Sequence, residues 1–230
     1  MEGRKEPPPS VTAGLAALEE EVISCRLCPR LVEWREEVAR EKKAAYRDEA
    51  YWGRPVPGFG DPKARVVVLG LAPAAHGANR TGRFFTGDRS GDFLFASLHR
   101  TGFSDSAFSR RKGDATLRDL WISAVVRCAP PGNKPTPAER DRCLPYATRE
   151  FALLPAKVII CLGAFAWDGA LRLHEVRPKP KFGHGAEHEL PTGRLLLGCY
   201  HPSQQNTFTG VLKPKMLDAV LTRARELTLP

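Results

Sequence analysis

The chain has 230 residues, 42% of them hydrophobic, and carries 35 Lys and Arg against 26 Asp and Glu for a formal charge of +9. That length can bury one full core, and no apolar run approaches the length needed to cross a bilayer. The opening stretch MEGRKEPPPS is a polar, proline-containing tail without the apolar segment of a secretory signal. An intracellular, cytoplasmic protein with no membrane partner is expected, and its excess positive charge favours a polyanion.

Residues 1–10 read as a flexible tail and 11–230 as one domain. Leu15, Leu18 and Val22 recur at helical spacing, as do Leu31 and Val38 in a second helix. Four short apolar runs closed by Gly or Pro follow as strands, namely RVVVLGLAP, LWISAVVRC, KVIICLG and RLLLGCYHP. Helices are predicted between them from Ser90, Thr136 and Ala164, and VLKPKMLDAVLTRARELT closes the chain. Thr136 is the expected N-cap of its helix, with Pro137 at the first helical position and Glu139 completing a capping box. The alternation predicts an α/β fold with a central four-stranded parallel sheet flanked by helices. Ligands in such sheets bind beyond the carboxyl ends of the strands, here the loops after Leu71, Arg127, Gly163 and Tyr200.

Of the six cysteines, Cys161 and Cys199 lie in apolar runs and read as core. Cys25 and Cys28 form a CxxC pair near the N-terminus, and Cys128 and Cys143 flank a Pro- and Arg-rich segment about a hundred residues later. This is ligand spacing. Sulfur ligation suits both zinc and iron-sulfur clusters, so the residues alone leave the two open.

Three loops carry unusual motifs, GLAPAAHGANRTGRFFTGDRSG, CAPPGNKPTP and HPSQQNTFTG. Together with the four cysteines they resemble the uracil-DNA glycosylase superfamily, in particular its iron-sulfur branch known as family 5 or type b, from Cys25 to about residue 220. The resemblance implies a monofunctional glycosylase of base excision repair that flips uracil out of DNA and hydrolyses its glycosidic bond. It also implies a structural 4Fe-4S cluster on Cys25, Cys28, Cys128 and Cys143. The expected partner is double-stranded DNA, with single-stranded DNA left open, and the expected state is a monomer at the chromosome. Phe85 matches the phenylalanine that stacks on the flipped base, with Phe84 the neighbour packed inward. His201 matches the histidine that stabilises charge on the base carbonyl, and Ser203, Gln204, Gln205 and Asn206 resemble the loop that fills the vacated stack.

The chain departs from the superfamily pattern in two places. Where a carboxylate or amide usually follows the first strand, it has Leu71, Ala72, Pro73, Ala74 and Ala75; where an Asn usually reads the uracil edge, it has Ala124. Ala72, Pro73, Ala124 and His76 are therefore expected to line an open base pocket that also admits hypoxanthine and xanthine. Asp88 and Asn133 are the candidates to replace the lost polar groups. Their rival readings are a helix cap and a turn. Asn79 is a further candidate, and Arg80, Arg83, Arg89 and Lys134, with Lys213 and Lys215, are expected on DNA phosphates. The alternative class is a non-catalytic DNA-binding module with a zinc or iron-sulfur staple. A nucleotide hydrolase is disfavoured, because no Walker loop or GxGxxG follows a strand.

Overall fold

The structure, a computed structural model, describes residues 10–229. Of the predicted tail, residues 1–9 lie outside the described residues, and Ser10 caps helix α1 (Val11–Ser24) through its hydroxyl. Next come α2 (Pro29–Glu41), β1 (Phe59–Gly60), β2 (Val66–Gly70), α3 (Ala78–Thr81), α4 (Arg89–Arg100) and β3 (Leu120–Ala124). The second half holds α5 (Pro137–Leu153), β4 (Val158–Leu162), α6 (Ala164–Leu173), β5 (Glu187–Glu189), β6 (Leu195–Cys199), α7 (Gln204–Phe208) and α8 (Pro214–Glu226).

The strands form one six-stranded sheet in the order β1-β3-β2-β4-β6-β5. Its four central strands are the four predicted ones, and they pair in parallel. The expected count of four is corrected to six by β1 and β5, which add antiparallel at the two edges. With two and three residues, and with Glu-His-Glu as the whole of β5, neither has an apolar run to announce it. The central strands are fully buried along nearly their whole length because helices cover both faces.

On one face, Leu94, Phe95 and Leu98 of α4 pack with Leu217, Val220 and Leu221 of α8 under Val68, Ile122 and Ile160. On the other, Ala147 and Phe151 of α5 and Trp167 and Leu171 of α6 pack under Val67, Ile159 and Leu196. Each such side chain contributes ~1.5–3 kcal/mol of burial. Cys161 and Cys199 have no exposed surface and belong to these cores, as expected. The Thr136 capping box forms in full, with Pro137 opening α5. Helix α4 begins one residue earlier than predicted, because the Asp88 carboxylate accepts from Gly91 N–H and takes the cap position.

Candidate active site

The loops at the carboxyl ends of the parallel strands build the site. After β2 the chain turns through Ala72 to Gly77, makes the single turn of α3 and reaches Phe84 and Phe85. Phe84 is buried, at 2% exposure, whereas Phe85 adopts a left-handed backbone, φ 51°, that turns its ring back over the end of β2. A Cβ on Gly70 would lie 3.2 Å from that ring, so glycine lets the aromatic lie flat on the strand. The Phe85 ring faces the His201 imidazole with centroids 5.9 Å apart and planes tilted by 36°. His201 lies two residues beyond the end of β6, and its carbonyl accepts from Asn206 Nδ2 at 2.9 Å, which ties the loop to α7. Burial pushes the His201 pKa down to about 4, so the ring is a neutral imidazole at pH 7.

Asp88 sits one turn of chain beyond Phe85. Burial pushes its carboxyl above the usual Asp range, against the opposing pull of the Gly91 N–H bond. The cap reading of Asp88 is thus observed, and the same bond fixes the orientation of its carboxylate. A Cβ on Gly77 would lie 2.0 Å from Asp88 Oδ2. Gly77→Ala is accordingly expected to displace the carboxylate and lower the single-turnover rate about as far as replacing Asp88 itself does, with little change in the far-ultraviolet spectrum.

The remaining predicted residues divide. His76 is half-buried, and its Nδ1 meets the Tyr51 hydroxyl at 3.1 Å. Pro73 is buried, and Ala72 packs against the core beneath α5 and α6, the face opposite the one on which Phe85 packs. Ala124 is 1% exposed and belongs to the core beneath Phe85, so its assignment to base contact is corrected: the position supplies no polar group and no open surface. Asn79 is fully buried and donates to the Arg35 carbonyl. Asn133 is exposed in the turn Pro131–Asn133 with φ 57°, beside exposed Lys134.

Two of the expected phosphate contacts are corrected. Arg80 lies over the Tyr46 ring, pairs with Glu49 and donates to the carbonyls of His76 and Gly87. Arg83 lies 3.9 Å from the Phe59 ring centroid and donates to the Ala115 carbonyl. Both guanidiniums brace the loop from inside, and their partners are too distant in sequence to be read there. Arg89, Lys213 and Lys215 remain exposed. The loop glycines likewise face this chain's own groups: Gly82 packs on Trp52 and Gly87 on Arg80. In the last loop, Ser203 caps α7. With Asn206 held by His201, exposed Gln204 and Gln205 are left to project from that turn.

Sequence reasoning missed Tyr51 and His184. His184 Nδ1 accepts from Tyr200 N–H at 3.2 Å and its ring stacks on Tyr200, supporting the strand end that carries His201. Its only sequence signal was the stretch KPKFGHG.

Cys25 ends α1, Cys28 caps α2, Cys128 follows β3 and Cys143 lies in α5, and all four line one cavity with Tyr146 and Arg142. Buried Arg35 directs Nη1 at Cys128 Sγ, 3.0 Å away, and Arg127 N–H points at Cys143 Sγ at 3.3 Å. Burial raises the Cys128 and Cys143 thiols to about 11 and about 12, which a bound cation reverses by ligating the thiolates. Among the described residues no three donors gather around a single ion position. Four thiols around one cavity form a sulfur donor set of the kind that holds a metal ion or an iron-sulfur cluster.

The carboxyl edge of the parallel central strands thus gathers an aromatic ring, a neutral histidine and a buried carboxylate, the kind of site that a base-excision enzyme would need. The chain belongs to the uracil-DNA glycosylase superfamily: the family model described as "Uracil DNA glycosylase superfamily" matches residues 57–225. It is 57% identical over 208 residues to a type-5 uracil-DNA glycosylase of Mycobacterium tuberculosis, an alignment covering 88% of this chain and 78% of that one. It is also 50% identical to a type-5 uracil-DNA glycosylase of Thermus thermophilus, across 90% of this chain and 94% of its relative, and 41% identical to one of Pyrobaculum aerophilum, across 88% of each. It stands with the type-5 branch and is an enzyme of this class. Among the described residues no helix is long and apolar enough to cross a membrane.

Proposed function

We propose that this chain excises uracil from DNA during base excision repair by extruding the nucleotide and hydrolysing its glycosidic bond, and that the same pocket accepts hypoxanthine and xanthine. The observation that carries the reading is the Phe85 ring laid on Gly70 and facing neutral His201 at 5.9 Å. An extruded base stacks on Phe85, which offsets part of the few kcal/mol lost in unstacking. The His201 N–H donates to a base carbonyl as negative charge grows there, and a donor preset in a poorly hydrated pocket costs little reorganisation at that moment. Asp88, held by its cap bond, orients water and stabilises the cationic sugar. Asn133 offers its amide from the adjoining loop, while Arg89, Lys134, Lys213 and Lys215 meet phosphates. Wider base choice follows from the Leu71–Ala75 stretch, whose side chains carry no group that pairs with the uracil edge.

Cys25, Cys28, Cys128 and Cys143 are proposed to hold a 4Fe-4S cluster that ties α1, α2 and α5 to the loop after β3. When bound, its role is structural. Cys143→Ser is expected to lower iron content and visible absorbance together with thermal stability.

The deciding test is alkaline cleavage of labelled duplexes holding uracil, hypoxanthine or xanthine. Cleavage of all three supports the reading, cleavage of uracil alone removes the purine extension, and none from iron-loaded protein leaves only a DNA-binding module.

Asp88→Asn separates chemistry from folding. Asn caps helices as well as Asp, and it removes a carboxylate whose raised pKa means that its ionised form is disfavoured in the fold. The stability linked to a raised pKa is present at low pH and lost as pH rises through the folded pKa. Asp88→Asn is therefore expected to melt no lower than the parent at pH 7.5 while losing ~10²-fold or more in single-turnover rate. A variant melting well below the parent at full rate contradicts both roles.

A further inference from the structure

The segment between Phe103 and Leu117 is an irregular loop whose backbone is nevertheless tied at nearly every turn. A bridge joins Ser104 to Leu117, and the Ser104 and Ser106 hydroxyls each bond backbone two residues on. Asp105 accepts from Thr116 N–H at 2.8 Å, and Asp114 accepts from Arg110 and Arg111 N–H at 3.0 and 3.1 Å. Fully buried Ser109 anchors the loop to the site, its hydroxyl bonded to Thr86 and its carbonyl accepting from Gly87 N–H. The rigid loop is thus seated on the residues between Phe85 and Asp88.

What it presents is unlike an ordinary surface turn. Phe108 is 50% exposed with the Arg110 guanidinium 5.4 Å from its ring centroid, and Arg110, Arg111 and Lys112 are all exposed. The loop's two acids, Asp105 and Asp114, accept from its own backbone, and Asp114 also pairs with Arg111 at 3.3 Å, so three cations outnumber two acids and Arg110 and Lys112 stand without an acidic partner in the loop. A groove runs from Phe108 past Arg110 to Arg89 and Asp88. An aromatic face beside cations on a hydrogen-bonded loop is a surface that binds unpaired bases and their phosphates.

We propose that Ser106–Lys112 is a second nucleic-acid contact, on which Phe108 stacks against an unpaired base next to the extruded nucleotide while Arg110, Arg111 and Lys112 meet its phosphates. The assignment rests on the reading of the chain as a DNA glycosylase. It makes single-stranded DNA a bound form in its own right, because a stacking platform needs a base free of its partner.

The test is fluorescence anisotropy of the iron-loaded full chain on an oligonucleotide with a tetrahydrofuran abasic site, single-stranded and in duplex, across a salt series. Phe108→Ala is expected to weaken single-strand binding ~5- to 100-fold and duplex binding less. Phe108→Trp is expected to restore affinity and show fluorescence quenching beyond the parent's on binding. Replacing Arg110 and Arg111 together by Ala is expected to reduce the slope of log K against log salt by about 1.4 on single strands. A Phe108→Ala protein that binds within about twofold of the parent, with Phe108→Trp unquenched, overturns the loop assignment and leaves uracil excision standing. A parent that neither binds nor cleaves uracil-containing DNA overturns the functional reading, and this assignment with it.

Discussion

His201→Ala is expected to lower the single-turnover rate of uracil excision by ~10²–10³-fold while leaving binding to an abasic duplex nearly unchanged. The size follows from removing one preset donor from a charge that exists only as the bond breaks. Binding is spared because an abasic site carries no base carbonyl for His201 to meet. His201→Asn, which keeps an N–H at shorter reach, should recover part of the loss. A fall in affinity equal to the fall in rate would instead place His201 in uniform substrate binding.

The pH dependence distinguishes His201 from Asp88. With a pKa near 4, His201 stays neutral from pH 5 upward and contributes no limb to the rate profile there. Asp88, with its carboxyl raised by burial, supplies an acid limb above the ordinary Asp range. The limb is expected to persist in His201→Asn and vanish in Asp88→Asn. Stability follows its own sign: unfolded His201 takes a proton below its ordinary 6.5 while the folded ring resists until about 4. Its contribution is therefore full above pH 6.5 and is lost as pH falls through that window, and His201→Asn should melt with a shallower acid slope.

Residues that carry their own signal were legible in the sequence. The β-branched or leucine-rich runs of the four central strands, the Thr136 capping box and the positions of Phe85 in the loop after one strand and of His201 just beyond another each depend on neighbours within a few positions. Arg80 and Arg83 were misread because an arginine's orientation depends on distant partners: Tyr46 and Glu49 draw Arg80 inward, and Phe59 and the Ala115 carbonyl draw Arg83. Edge strands of two and three residues lack any period to detect. The Phe108 loop escaped notice because its order comes from serine and aspartate side chains bonding nearby backbone, which in a sequence resembles any polar turn.

Glu150→Ala is expected to destabilise the protein by ~3–5 kcal/mol. Glu150 and Arg127 are 3% and 2% exposed, and the guanidinium Nη2 meets Oε2 at 2.6 Å. The same carboxylate accepts from the Ser123 hydroxyl of β3, so one group joins α5, the sheet and the turn leading to Cys128. Removing it leaves Arg127 charged, buried and unpaired. For a domain of this size each kcal/mol shifts Tm by ~2–4 °C, which predicts a fall of roughly 6–20 °C by calorimetry. Because Arg127 also directs its N–H at Cys143, loss of this pair should loosen the cysteine cavity and speed iron release to a chelator at temperatures where the parent retains it. Glu150→Gln keeps one oxygen to accept from Ser123 and Arg127 Nη2 but loses the charge and the second acceptor, so it should lie between parent and Ala. If Glu150→Gln matches the parent in both melting and iron retention, the network acts through shape and hydrogen bonding, and the charge pair adds nothing to the staple.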